Sequence, residues 1–112
     1  MDNSERNFLL TAAWLFARHG RGDRARILCE ALVEDDPVNG VSAVALAELL
    51  LADREPERAL ETLETASVPA ALDRAEALLE ARALSMLGRN DEAKRRWRRH
   101  CEAAKGGARK WI

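Results

Sequence analysis

Chemistry in this 112-residue chain is invited first by two histidines, two cysteines and one dense run of arginines. His100 and Cys101 are adjacent, and such a pair can ligate a metal or supply a nucleophile with its base. Adjacent residues on a helix point about 100° apart, however, and no third ligand stands at a suitable spacing. No His/Glu pair occurs at the i, i+4 spacing that puts two ligands on one helix face. His19 falls at the end of a helical pattern, where a partly positive imidazole suits the helix C-terminus. Gly106-Gly107 has neither the preceding strand nor the following helix of a phosphate-cradling loop. The run Lys94-Arg95-Arg96-Trp97-Arg98-Arg99 sets an aromatic among cations, a pattern that can grip single-stranded nucleic acid. The competing reading, which the spacing favours, is that Trp97 points into a core and the arginines solvate an exposed helix. No catalytic, cofactor-binding or metal-ligating residue is expected, nor is a nucleic-acid partner.

The composition indicates which elements carry these residues. Hydrophobic residues make up 47% and charged residues 33%, too apolar for disorder and too charged for a membrane protein. Ala, Leu, Glu and Arg dominate, and all are good helix formers. The formal net charge of -1 gives no overall attraction to nucleic acid. Cys29 and Cys101 lack a CxxC spacing, so a reducing cytoplasm is the expected compartment. No apolar run of signal-peptide length follows a basic N-terminus, and no secretory leader is expected. The longest mostly apolar stretch, Val41 to Ala52, is broken by Ser42 and Glu48 and is too short to span a bilayer.

The strongest pattern is internal repetition. Ala25, Ala59 and Ala93 are 34 residues apart, each preceded by two polar residues. At the same offset Ala13, Ala47 and Ala81 agree, as do the large apolar residues Phe16, Leu50 and Leu84. Gly20, Arg54 and Gly88 agree in two of three, and Cys29, Leu63 and Trp97 are all apolar. A gapless period of this length resembles the tetratricopeptide repeat (TPR), a helical hairpin in which small residues admit the second helix closely. The resemblance implies an all-α fold of three TPR hairpins stacked as a short right-handed solenoid. The single domain spans residues 1–112, with repeats over about 6–37, 40–71 and 74–105 and a non-helical tail from 106 to 112. Helices are expected at 6–19, 23–35, 40–53, 56–66, 71–87 and 91–104. Gly20 and Gly88 suit the left-handed residue that ends a first helix. Asp23, Glu57 and Asp91 suit the positive starts of second helices. Pro37 falls where the second helix of repeat one must stop, while repeat two has Ala71 at the equivalent point and Pro69 two residues earlier. Cys29 is expected to be a small buried hydrophobe.

In a stack of this kind the first helices line a concave wall that binds partners. The residues of that wall are Leu10, Trp14, Ala17 and Arg18, then Val44, Glu48, Leu51 and Ala52, then Leu78, Arg82, Ser85 and Met86, with Thr11, Ala45 and Leu79 next to the first residue of each set. Leu10, Trp14, Val44, Leu51, Leu78, Leu79 and Met86 form an expected contiguous apolar stripe. An amphipathic helix laid there would bury its apolar face, with Trp14 as anchor and Glu48 and Arg82 setting orientation. For each Leu or Val, core packing is the alternative. Trp14 falls outside the packing positions held by Ala13 and Phe16, so it is expected to face a partner. Residues 1–6 or the tail with Trp111 are alternative covers for the groove. TPR domains that clamp a carboxylate use lysine and asparagine where this chain has Leu10 and Trp14, Val44 and Glu48, or Leu78 and Arg82. No such clamp is expected.

The segment Phe8-Leu9-Leu10-Thr11-Ala12-Ala13-Trp14-Leu15, followed by Gly20, Asp23-Arg24-Ala25-Arg26-Ile27-Leu28 and Ala31-Leu32, is similar to the start of a narrower family. It resembles the small TPR chaperones of bacterial type III secretion systems, most closely the YscY type. The likeness covers residues 8–37 and becomes general TPR pattern afterwards. It implies a bacterial cytoplasmic chaperone, not an enzyme, that binds a small helical secreted protein of the YscX type. Heterodimer and cytosolic domain of the export-gate protein then associate. The related YscG type instead holds the C-terminal helix of a needle subunit, and a generic TPR adaptor is the broader alternative. A homodimer in the partner's absence is compatible with the open groove.

Overall fold

The computed structural model describes residues 1–109, with side chains described through Lys105. Six α-helices account for most of it: α1 (Asn3–Arg18), α2 (Gly22–Asp35), α3 (Gly40–Ala52), α4 (Pro56–Thr65), α5 (Asp73–Met86) and α6 (Asn90–Arg109). A 3-10 turn, Ala70–Leu72, leads into α5. Among the described residues there is no strand.

The termini of the helices follow from local chemistry. The Asp2 side chain accepts the Glu5 N–H at 2.8 Å, so α1 begins three residues before the expected start. Met1 and Arg6 lie against Asp35, with Arg6 3.0 Å from its carboxylate. Residues 1–6 are thus tied to the end of α2 and do not cover a groove. Asn39 caps α3 by accepting from the N–H and hydroxyl of Ser42, each at 3.0 Å. Pro56 occupies the first turn of α4, where its missing N–H is harmless. Pro37 and Pro69 follow the ends of α2 and α4.

The first helix of each pair ends in the same way. Gly20, Arg54 and Gly88 take φ of 75°, 63° and 77°. Beyond each, the next N–H returns to a carbonyl five residues back: Arg21 to Phe16 at 2.8 Å, Glu55 to Leu50 at 2.8 Å and Arg89 to Leu84 at 2.9 Å. These are Schellman closures. The 34-residue period therefore extends from the residues to the backbone hydrogen bonds, including the one position where arginine stands in place of glycine.

Each helix packs against the next in order, and α5 also packs directly on α3. Ala25, Ala47, Ala59 and Ala83 are fully buried at these contacts, with Leu46, Leu50 and Leu63 filling the space between helices. α3 lies at the centre and carries one charged side chain, Glu48; a helix so nearly apolar all round must be surrounded. Its start is pressed against the connection between α4 and α5. Gly40 is buried where a Cβ would meet the Ser67 carbonyl oxygen, with Val68 Cα at 2.6 Å and Pro69 Cδ at 2.8 Å. The Ser67 N–H donates to the Val38 carbonyl at 2.8 Å and locks the two connections side by side.

α6 departs from expectation. It continues through Gly106 and Gly107 to Arg109, where a non-helical tail was expected. Glycine in a helix costs about 1 kcal/mol relative to alanine but does not forbid it, and no proline or cap stops the chain there. Trp111 lies outside the described residues.

Candidate partner-binding groove

The face formed by α1, α3 and α5 holds two depressions. The first, about 560 Å³, lies between α1 and α3 and is lined by Leu10, Ala13, Trp14, Ala17 and Arg18 from α1 and by Ala45, Glu48, Leu49 and Ala52 from α3, over Cys29 of α2. The second, about 600 Å³ and more open, lies between α3 and α5 and is lined by Leu51, Ala52, Arg54, Arg82, Ser85 and Met86. Ala52 belongs to both, so the two depressions adjoin.

The first cleft exists because four of its lining residues are alanines. Ala13 and Ala17 on α1 look across at Ala45 and Ala52 on α3, and α1 does not close onto α3 as α5 does. Between α3 and α5 the equivalent space is filled by leucines. Leu51 is 3% exposed and Leu79 is 5% exposed, both inside the core. The expected contiguous apolar stripe is corrected on this point: Leu51 and Leu79 are packing residues, although Leu51 touches the edge of the second depression. Val44 is half-buried and packs on the core cluster. Leu78 is exposed but lines neither depression. Of the other expected wall residues, Leu10, Trp14, Ala17, Arg18 and Glu48 gather in the first cleft, and Arg82 and Met86 in the second.

Trp14 is 56% exposed, an unusual state for the largest apolar side chain. The Arg18 guanidinium sits over its ring at 4.8 Å from the centroid, a cation–π contact one helical turn on. The pair forms one rim of the cleft. Cys29 at the floor is 1% exposed, and burial, reinforced by the nearby charge of Glu30, pushes its thiol up to about 11. It stays protonated at neutral pH and behaves as a small apolar group.

Ala45, Leu49 and Ala52 line the α3 wall; Ala52 was an expected wall residue, Ala45 was expected beside the wall, and Leu49 was not expected there. They sit 35 residues after Leu10, Trp14 and Ala17, one step from the strict repeat. Repeat-equivalent residues point the same way on each helix. A cleft needs residues that point toward each other, so its far wall is offset from the period. Their i, i+4, i+7 spacing was the available signal.

The residues that invited chemistry are placed otherwise. Trp97 is half-buried, its ring tilted 36° to that of His100 with centroids 5.4 Å apart, and the Arg74 guanidinium lies 6.0 Å from its ring centroid. Arg96 turns inward to Glu80 at 2.8 Å and Glu76 at 3.6 Å, while Lys94, Arg95, Arg98 and Arg99 face outward. His19 is exposed at the end of α1. Among the described residues no cluster of three or more His, Cys, Asp or Glu side chains is arranged to hold a metal ion. Both cysteines are free.

No protein-family model matches the chain, and no curated protein is similar enough to count as a relative. The groove is therefore read from its own geometry: an apolar cleft with an exposed tryptophan on its rim, charged groups along its mouth, and an adjoining cationic depression. Among the described residues no helix is long and apolar enough to cross a membrane.

Proposed function

We propose that this protein is a TPR module that binds another polypeptide by taking one of its amphipathic helices into the groove along α1, α3 and α5. The observation that carries this reading is Trp14, more than half exposed on the rim of an apolar cleft. A helix is about 10 Å across with its side chains, and such a rod laid across α1, α3 and α5 can seat apolar side chains of one face in the cleft. The TPR assignment is supported by the period of 34 residues and by the three identical helix closures at Gly20, Arg54 and Gly88.

The narrower reading rests on the resemblance of residues 8–37 to YscY-type chaperones. In it, the bound helix belongs to a small secreted component of a type III secretion system. The protein keeps that component from aggregating in the bacterial cytoplasm and presents it to the export gate. Binding and release without bond chemistry suffice for this role.

The test is co-expression with the small proteins encoded beside it, followed by the mass of what co-purifies. A one-to-one complex with a small helical protein supports the chaperone reading. A lone monomer beside every neighbour refutes it and leaves the general adaptor. Trp14→Ala is expected to weaken the complex at least tenfold, since an anchoring tryptophan typically contributes about 2 kcal/mol or more. Helicity of the free chain should be nearly unchanged. Unfolding of the free variant would show that Trp14 belongs to the core.

A further inference from the structure

The two depressions differ in charge. In the α1/α3 cleft, Arg18 and Glu48 offset each other around an apolar floor. In the α3/α5 depression, Arg54 and Arg82 stand with no carboxylate among the lining residues. Neither has an ion-pair partner among the described residues; Arg18, Arg21, Arg24, Arg74, Arg95, Arg98 and Arg99 share that state, so what sets Arg54 and Arg82 apart is that both line one depression without a carboxylate. The carboxylates nearest Arg54 in sequence, Asp53 and Glu55, are both turned to Arg26. One helical turn to either side of Arg82 stand Leu78, Leu79, Ser85 and Met86, none of them acidic.

We propose that the helix this groove takes has an apolar end and an acidic end: apolar side chains seat in the cleft beside Trp14, and a pair of carboxylates reaches Arg54 and Arg82. The inference rests on the groove being the partner site. Its spacing follows from helix geometry. Packed helices lie roughly 8–10 Å apart, and the two depressions flank α3 and meet at Ala52. At a rise of about 1.5 Å per residue, that separation is about five to seven residues. The ligand thus carries its apolar anchor and its carboxylates on one face, about two turns apart. Charge placed this way fixes the direction in which the helix lies across α1, α3 and α5, which an apolar cleft alone would leave free.

Two fluorescently labelled synthetic helical peptides test this. They share one Leu/Ala stripe and differ only in carrying a Glu pair or a Gln pair two turns beyond its centre. Binding to the full chain is read by anisotropy. The Glu peptide is expected to bind roughly fivefold more tightly, the effect of two exposed ion pairs. The advantage should shrink at about 0.5 M salt and vanish in the double variant Arg54→Gly, Arg82→Gln. Arg54→Gly removes the charge at a left-handed backbone position that glycine suits, so loss of fold would not explain the result. Equal affinities, both abolished by Trp14→Ala, would overturn the acidic-end inference and leave the groove as the partner site. A Glu preference that survives in the double variant would overturn it too, and assign the preference to another cationic surface such as Lys94, Arg95 and Arg98. Binding of neither peptide would overturn the groove and the inference together.

Discussion

Arg54→Gly should stabilise this protein, although it deletes a whole side chain. Arg54 closes α3 at φ 63°, a region where a Cβ crowds the following carbonyl. That strain is worth about 1–2 kcal/mol. Glycine gives some of it back, because the unfolded chain gains freedom worth about 0.4–1 kcal/mol. Arg54 is exposed and has no ion pair among the described residues, so little else is lost. The net gain is about 0.5–1 kcal/mol, which moves the urea midpoint up by about 0.5 M at unchanged slope. Circular dichroism at increasing urea measures it. The same backbone position supplies its own control. Gly20 and Gly88 have φ of 75° and 77°, and a Cβ at either would meet nothing within 4 Å. Gly20→Ala and Gly88→Ala should each lose a similar amount for reasons of backbone alone. A destabilised Arg54→Gly, or a neutral Gly20→Ala, would refute the claim that the three closures share one conformation.

Other perturbations probe the packing and the charges. Gly40→Ala should cost about 1–3 kcal/mol in the same urea assay, because its methyl group would drive into the backbone of Ser67 and Val68 and the ring of Pro69; an unchanged midpoint would mean that the two connections separate easily. Arg26 bonds Glu30 and Asp53 at 2.8 Å each and Glu55 as well, and its hydrogen bond is the largest cause holding the Glu55 carboxyl below its usual range. A depressed folded pKa contributes stability above the unfolded value that disappears as pH falls through the folded one. Arg26→Met should therefore lower the thermal midpoint at pH 7, and the gap to the parent chain should close as pH drops below the carboxylate range. Glu76 behaves oppositely. Burial first, then the charge of Glu80, raises its pKa against the pull of Arg96. Its contribution is present below the unfolded pKa and lost as pH rises through the folded one. Glu76→Gln should raise Tm by about 2 °C or less at pH 7 and leave it unchanged at about pH 4. A fall at pH 7 would show that the 3.6 Å pairing with Arg96 outweighs burial.

The helices were legible because their signals are local. Capping, proline position and the spacing of Ala25, Ala59 and Ala93 act within a few residues or recur at a fixed interval. Arg54 shows how far the period can be trusted: its residue type breaks the pattern, yet its backbone keeps it. Trp14 was legible as a residue outside the core, because Ala13 and Phe16 already occupied the packing positions. Gly40 carried no such sign. Its need for a bare Cα comes from Ser67, Val68 and Pro69, more than 25 residues away, and nothing near it in the chain reports their approach.

The groove divides along the same line. Helical spacing by itself determined which side of α1 carries Leu10, Trp14, Ala17 and Arg18, since residues three and four apart must share a face. Tertiary structure decided what that side looks across at. α5 closes onto α3 and takes Leu51 and Leu79 into the core, while α1 stays back from α3 and leaves a cleft that Ala13, Ala17, Ala45 and Ala52 are too short to fill, even with Leu10, Trp14 and Leu49 beside them. Whether a leucine is wall or core depends on how closely the neighbouring helix approaches. That distance is set by both surfaces together, and no single stretch of the chain contains it.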